Sequence, residues 1–357
     1  MSYKVVQWAT GSVGTASLRE IIRNPDLELV GLRVYGVDKV GKDAGVLAGG
    51  EPIGILATDS IERILATDCD VVVHTPRAAG HLEEMYADLE RLLEAGKNVV
   101  TVAIGISPER HGPEFVRRFE AACRKGGSTF HGTGIDPGFL CDRLPASLTA
   151  LSTQVDRIRM LEAADLIYHP NPEMIMALLG FGLKPEEFKI DPTNPGLVYC
   201  TILLPEAVYC LFDLLKVPFG RLEISPPTFA LAPRDLDIPS GRIRKGTIAG
   251  ITWMFKGYRP NDPADDPFVT HQWSWYVERD LPGMPKSDGK YQIRLDIEGR
   301  PTLRAVIDIT DAEDAIFMPT ANAAVRAIPE VVKAPPGILR STVFAPWTPR
   351  MPMPLQK

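Results

Sequence analysis

Long apolar runs, paired cysteines and an excess of positive charge are all missing from this 357-residue chain. No apolar stretch approaches the ~20 residues that span a bilayer, so no membrane partner is expected. The net charge of −6 argues against nucleic acid or an anionic membrane surface. Cys69, Cys123, Cys141, Cys200 and Cys210 stand apart with no C-x-x-C. They read as reduced packing thiols of a cytoplasmic protein, not as a disulfide framework. The six histidines are scattered and share no metal-ligand spacing with a cysteine, so no metal is expected. His74 and His131 fall within strands and read as structural. No G-x-S-x-G or Cys/His pattern suggests hydrolysis. The opening MSYKVVQW enters a strand at once, which leads to an expectation of no signal peptide.

What is present is an alternation of strand and helix through the first 140 residues. Strands are expected at Tyr3 to Ala9, Leu27 to Tyr35, within EPIGIL, at Val71 to Thr75, in NVVTVAIG and in STFHGTG. Helices are expected from about Val13 to Arg23, after an N-cap at Asp59 or Ser60, across HLEEMYADLERLLEAGK, and from Pro113 to Lys125 with Gly126 and Gly127 closing it. Strands apolar throughout and separated by helices imply a parallel sheet covered on both faces, the doubly wound Rossmann plan. Beyond Leu148 the pattern changes. QVDRIRMLEAADL reads as a strand, NPEMIMALLGFG as a short helix, and Val198 to Val217 as a helical stretch. GTIAGITWMFKGY, FVTHQWSWYVERD and YQIRLDIEGRPTLRAVIDI alternate as strands, the last with a hairpin turn at Glu298-Gly299. Prolines crowd this half. The expected division is a dinucleotide-binding domain over 1–145 and an α+β substrate and dimerisation domain with an open, mainly antiparallel sheet over 146–315. A C-terminal helix (Thr320 to Val332) and tail over 316–357 are expected to return to the first domain.

The segment VVQWATGSVG lacks the first glycine of the G-x-G-x-x-G dinucleotide fingerprint. Ala9 stands there, while Gly11 and Gly14 occupy the positions that let pyrophosphate approach and helix pack on strand. Ala9 is tolerable if its φ is negative, because only positive φ penalises a Cβ. Thr10 and Ser12 add hydroxyls beside the N–H groups of the helix start, with Val13 in the same turn. A second absence follows: no acid ends the second strand, where NAD-binding sheets hold the ribose hydroxyls. Arg33 and Tyr35 stand there instead, and Asp38 comes late, beside Lys39 and Lys42. This favours a 2′-phosphate and hence NADP(H), with NAD(H) as the alternative. Thr75, Pro76, Arg77 and Ala103, which follow the ends of later strands, complete the expected cofactor set on this side.

The chain resembles the group that joins dihydrodipicolinate reductase-like oxidoreductases to 2,4-diaminopentanoate dehydrogenase and the native amine dehydrogenases. The marks, in order, are VVQWATGSVG, TGIDPGFLCDRLP, LLGFG and AAVRAIPEVVKAPPGI. The resemblance covers nearly the whole chain and implies an NAD(P)H-dependent homodimer acting on a small molecule. In HGTGIDPGF, Gly134, Asp136, Pro137 and Gly138 are expected near the nicotinamide. Asp136 reads as the N-cap of a helix whose first turn holds Pro137. Amine-forming relatives carry a glutamate just after the strand that ends here as NVVTVAIGIS; in this alignment that place falls at Ile104. An apolar side chain cannot hold an ammonium ion, so either Glu109 or an acid of the second domain replaces it, or another bond is reduced. The expected function is therefore hydride transfer to or from a small hydrophobic carbonyl, imine or activated alkene. The alternatives are an amine dehydrogenase with a displaced acid and a non-catalytic NADP(H)-binding sensor.

In LEAADLIYHPNPE, the residues Glu162, Asp165, Tyr168 and His169 are close in sequence, and the resemblance turns this region to the substrate. They are the candidates for acid–base work. Ile104, Phe139 and His271 are the candidate substrate-pocket residues. Trp253, Trp273 and Trp275 add to an apolar, aromatic second domain.

Overall fold

The structure is a computed structural model that describes residues 2–77, 82–191, 194–287, 290–310 and 317–349. Contacts divide the chain into two compact units, Met1–Phe139 with Asp314–Arg340 and Leu140–Glu313 with Ser341–Lys357.

The first stretch runs β1 (Tyr3–Trp8), α1 (Ser12–Arg23), β2 (Leu27–Arg33), α2 (Ala44–Leu47), α3 (Ile61–Ala66), β3 (Val71–His74), α4 (Leu82–Glu94), β4 (Asn98–Thr101), α5 (Pro113–Gly126) and β5 (Thr129–Gly132). Next come α6 (Arg143–Leu148), β6 (Gln154–Asp165), α7 (Pro195–Val198), α8 (Glu206–Leu215) and β7 (Arg221–Leu231). The short hairpin β8 (Leu236–Ile238) and β9 (Gly241–Ile243) precedes β10 (Ile248–Tyr258), β11 (Val269–Tyr276), β12 (Tyr291–Arg300) and β13 (Leu303–Ile309). The chain then returns to the first unit through α9 (Phe317–Lys333) and β14 (Gly337–Ile338).

The first unit is a six-stranded sheet in the order β14-β5-β4-β3-β1-β2, parallel at every pairing. Its strands are apolar because both faces are covered. On one face Leu18 and Ile21 of α1 and Ala324, Val325, Ile328 and Val331 of α9 pack on Val5, Val71, Val73 and Val100. On the other, Phe115 and Phe119 of α5 stack at 4.1 Å, and Phe119 meets Phe130 of β5 edge-on. Sheet order reverses between β1 and β3, so the carboxyl ends of these strands form the topological switch point where such sheets take ligands.

The second unit is a sheet in the order β13-β12-β6-β11-β10-β7. Only β11 and β6 run parallel; the other pairings are antiparallel. Across its middle, Trp253, Trp273, Glu162 and Ile293 lie in one register row and so share a face. Helix α8 covers part of that face, with Val208 and Phe212 against Gly257.

Several local expectations are corrected. No strand forms in EPIGIL; two isolated bridges, Arg33–Thr58 and Asp43–Leu56, stand there. The cap at α3 is Ser60, whose Oγ accepts from Arg63 N at 3.2 Å. The stretch from Val198 is not one helix: a wide turn at Tyr199–Leu203 separates α7 from α8, because Pro205 cannot donate to a continuing ladder. NPEMIMALLGFG likewise forms a wide π turn, Glu173–Leu178. The β12–β13 hairpin turns after Arg300, and Gly299 belongs to β12, opposite Val155 at a register shift. β7 was not expected, because SPPT interrupts it. As an edge strand, with a register shift opposite these prolines, it tolerates them. The unit division falls at Phe139, not 145. The tail over 341–349 groups with the second unit, where Trp347 N donates to Thr149 Oγ1 at 3.0 Å. The boundary expected at 315/316, the tail beyond 349 and His81 at the head of HLEEMYADLERLLEAGK lie outside the described residues.

Two histidines are buried in the sheets at 0% exposure, His74 in β3 and His271 in β11. Burial drives His74 down to about 3, with the Arg33 charge adding to it, and burial drives His271 down to about 4. Both folded values lie below the unfolded value of 6.5, so the unfolded chain takes up the protons first as pH falls. The stability that goes with neutral burial is complete above pH 6.5 and is lost toward the folded values. Between pH 7 and pH 5 each histidine is expected to cost about 2 kcal/mol. Urea unfolding at the two pH values measures the loss, and His271→Phe should remove about half of it. A stability independent of pH over this range, in the unsubstituted chain, would contradict this account.

Candidate functional site

The carboxyl ends of the parallel strands carry every residue expected to hold a cofactor on the first unit. Thr10 to Gly14 follow β1, Arg33 and Tyr35 close β2, Thr75 to Arg77 follow β3, Ala103 follows β4, and Gly134 to Gly138 follow β5. The N-cap of α1 is Gly11, with no side chain capping it and no acid in the first turn. The first backbone bond of the helix is Thr15 N to Gly11 O, at 2.8 Å. The N–H groups of Ser12, Val13 and Gly14 are thus the orphan donors of the helix start, where an anion is favoured. A Cβ on Gly11 would meet nothing within 4 Å, whereas one on Gly14 would stand 2.2 Å from Ala9 O and 2.7 Å from Thr75 Oγ1. Gly11 therefore leaves room for a ligand, and Gly14 admits the preceding turn. This pattern fits a dinucleotide pyrophosphate.

Ala9 departs from expectation. Its φ is +76°, not negative, so it adopts the conformation of the missing glycine despite its Cβ. Gln7, a residue the sequence did not single out, lies fully buried beneath it and donates to Ala9 O at 2.9 Å.

At the end of β2 the Arg33 guanidinium lies 4.8 Å from the Trp8 ring and 4.5 Å from the Tyr35 ring. Trp8 Nε1 donates to Tyr35 Oη at 2.9 Å, and Arg33 Nη1 donates to Val34 O at 2.8 Å. Arg33 Nε and His74 Nε2 are buried without an acceptor or donor among the described residues. Lys39 reaches back to the phosphate loop, with Nζ 2.9 Å from Thr10 O and 3.1 Å from Thr10 Oγ1. The loop beyond Lys39 is closed by Asp43, whose carboxylate accepts from Gly45 N, Ile53 N and Gly54 N at 2.7–3.0 Å. Those bonds, led by the one from Ile53, hold its carboxyl below the usual range. Lys42 is exposed.

Asp136 caps no helix. After Gly134 the chain turns tightly: Gly138 has φ +125°, and a Cβ there would stand 2.2 Å from Gly134 N. The next helix is α6, and its cap is Asp142, which accepts from Arg143 N. Ile104 is 0% exposed and Ala103 is buried, while Phe139 is exposed. Glu109 is ion-paired with Arg340 at 2.7 Å on the surface of the first unit.

The four acid–base candidates of the second unit do not converge. Glu162 and Asp165, three residues apart on β6, point to opposite faces. Glu162 is 2% exposed. Its carboxylate accepts from Trp275 Nε1 at 2.5 Å and from Tyr291 Oη at 2.8 Å. Asp165 is engaged by Arg279 Nε and by Ile167 N, each at 3.0 Å. Tyr168 is exposed, with Lys290 Nζ 5.0 Å from its ring centroid. His169 is buried, and its Nδ1 accepts from Asn171 N at 3.1 Å, which leaves the proton of the neutral ring on Nε2. His271 lies in the sheet beside Phe255, with ring centroids 5.6 Å apart. The nearby Trp253 Nε1 and Trp273 Nε1 are buried without an acceptor among the described residues.

Known proteins can now be compared with this geometry. The chain is 29% identical over 348 residues to an amine dehydrogenase of Streptomyces virginiae, covering 93% of each. It is 22% identical to the 2,4-diaminopentanoate dehydrogenase of Acetoanaerobium sticklandii, covering 94% of this chain and 91% of that one. Among solved structures, the amine dehydrogenase from Mycobacterium smegmatis shares the fold with a TM-score of 0.76 at 20% identity, over 95% of both chains. The profile of the 2,4-diaminopentanoate dehydrogenase C-terminal domain family matches residues 139–346, more than half of the chain. With the Rossmann-type unit that precedes that match, the chain belongs to the 2,4-diaminopentanoate dehydrogenase C-terminal domain family, among the NAD(P)-dependent oxidoreductases.

Proposed function

We propose that this protein is an NADP(H)-dependent oxidoreductase that transfers a hydride to or from a small hydrophobic carbonyl, imine or activated alkene. The observation that carries the cofactor reading is the end of β2. Arg33 and Tyr35 close the strand where an acid would hold a ribose diol, with Asp38 only in the turn beyond, and Arg33 lies over the rings of Trp8 and Tyr35 with its Nε unpartnered among the described residues. A guanidinium so held keeps its fork oriented toward a phosphate at little further entropic cost. Lys39 adds a second cation against the same loop. The bound nicotinamide supplies or accepts the hydride. The chain's own part is to bind phosphate through the first-turn N–H groups of α1, orient the adenine end through Arg33 and Tyr35, and exclude water. Of the acid–base candidates, His169 has its ring oriented by Asn171 N, and an imidazole so held suits proton delivery to a reduced oxygen or carbon.

The second reading is amine dehydrogenation with a displaced acid. The amine dehydrogenase relative supports it, and so does Glu162, a buried carboxylate on an aromatic sheet face. Against it, the place of the relatives' glutamate is the fully buried Ile104, and Glu109 is occupied by Arg340.

Two outcomes are expected. NADPH should bind at least tenfold more tightly than NADH by calorimetry. Arg33→Ala should lower that preference by roughly 1.5–3 kcal/mol, the value of a hydrogen bond to a charged group. Equal dissociation constants in the unsubstituted protein would refute the NADP assignment.

Ammonium should not accelerate NADPH oxidation with simple ketones, because a base must stand about 2.6–3.2 Å from the proton it removes and Ile104 offers none. Robust ammonium-dependent turnover by the unsubstituted protein would overturn this and move the role to Glu162. Ile104→Glu tests the converse, and gain of ammonium dependence is expected where the buried charge is tolerated.

A further inference from the structure

Left-handed turns of this kind normally belong to glycine, yet the turn into α1 is made by Ala9 at φ +76°, where a Cβ crowds the backbone. Such a conformation persists only when its surroundings over-determine it. Gln7, two residues earlier and 0% exposed, supplies that determination. Its Nε2 lies 2.9 Å from Ala9 O, 3.2 Å from Trp8 O and 2.9 Å from Thr75 Oγ1. Its Oε1 accepts from Ser17 Oγ at 2.8 Å. Thr75 Oγ1 in turn donates to Trp8 O at 2.9 Å. One amide thus ties the end of β1, the loop after β3 and the first turns of α1 into a single buried network.

The chemistry asks for glutamine. The side chain must donate toward two carbonyls and a hydroxyl while accepting from a serine. A glutamate would set a carboxylate against Ala9 O and Trp8 O. An asparagine is one methylene short. A leucine would take the side-chain donor from Ala9 O, a group costly to orphan when buried, while Trp8 O would keep Thr75 N and Thr75 Oγ1 and the Ser17 hydroxyl would keep Gly14 O. The carbonyl that Gln7 pins is also the atom a Cβ on Gly14 would strike first, so Gln7 and Gly14 hold the two sides of the same turn.

We propose that Gln7 is a positioning residue for the cofactor phosphates: it holds Ala9 in the left-handed turn, takes over the work of the missing fingerprint glycine, and so sets the N–H groups of α1 that receive the anion. This rests on the reading that the loop binds a nicotinamide dinucleotide. Its consequence is specific. If Gln7 matters because Ala9 is strained, restoring the glycine should relieve the need for Gln7.

The test is a cycle of Gln7→Leu, Ala9→Gly and the double variant, with NADPH and NADH dissociation constants measured by protein fluorescence. Gln7→Leu should weaken NADPH binding about tenfold or more, and adding Ala9→Gly should recover at least threefold. Ser17→Ala, a smaller change that loosens the same amide, should weaken binding several-fold and show the same rescue; it decides the matter if Gln7→Leu does not fold. The loop is also read without cofactor, through the amide resonances of Gly11 and Gly14 in selectively ¹⁵N-glycine-labelled free protein. These should shift in Gln7→Leu or Ser17→Ala and move back on Ala9→Gly. Effects that simply add, or NADPH binding within twofold of the unsubstituted protein in the folded variants, would overturn the proposal. An unsubstituted protein that binds neither NADPH nor NADH, while the resonances still respond and are rescued, would instead refute the cofactor reading and leave the role of Gln7 in the turn intact.

Discussion

The hydrogen bond from Gln7 Nε2 to Ala9 O is the contact on which the ligand end of the first sheet depends. It holds a carbonyl that must turn inward for α1 to start where it does. From that one direction several requirements follow. Residue 14 must lack a side chain, because the carbonyl occupies the space a Cβ would fill. Residue 75 needs a hydroxyl that can accept from Gln7 and donate to Trp8 O. Residue 17 must donate to the other end of the amide. Three elements separated by up to 68 positions in sequence are thereby fixed to a fraction of an ångström, which is what a phosphate cradle made of backbone N–H groups requires.

At the same end of the sheet, a chain of net charge −6 still gathers positive groups around the proposed anion site. Charges beyond about 8–10 Å are largely screened at physiological salt, so the local set decides. Here it includes the positive end of the α1 dipole, Lys39 against Thr10 and Arg33 over the rings of Trp8 and Tyr35. Asp43, an acid that could compete for a nearby cation, is instead saturated by three backbone N–H groups of its own loop.

The alternation of strand and helix in the first unit was legible because each parallel strand is buried on both faces and must be apolar throughout. Its handed details were not. Nothing local marks Ala9 as left-handed; a buried amide two residues away and a threonine after the third strand decide it. Asp136-Pro137-Gly138 carries the residue types of a helix start, yet Gly138 at positive φ folds the segment back on Gly134, and the cap function passes to Asp142 six residues on. Cap and turn draw on the same residues, so composition cannot separate them. β7 escaped notice for the opposite reason. Its Pro226 and Pro227 forbid a central strand but not an edge strand with a shifted register, and whether a strand is central or edge depends on the whole sheet.

The candidate chemistry of the second unit was less legible still, because there the determining neighbours are across strands. Glu162 and Asp165 looked like one cluster as long as β6 was only a string of letters. Strand parity separates them, and the pairing then gives each a different fate. Asp165 meets Arg279 in an ion pair. Glu162 meets an indole N–H and a phenol O–H, neutral donors inside an aromatic face. Of the two acids, Glu162 is the one set among aromatic neighbours. A one-residue slip of β6 would exchange these surroundings, so the register set by Trp273 and Ile293 on either side of Glu162 fixes its chemistry as surely as its own side chain does.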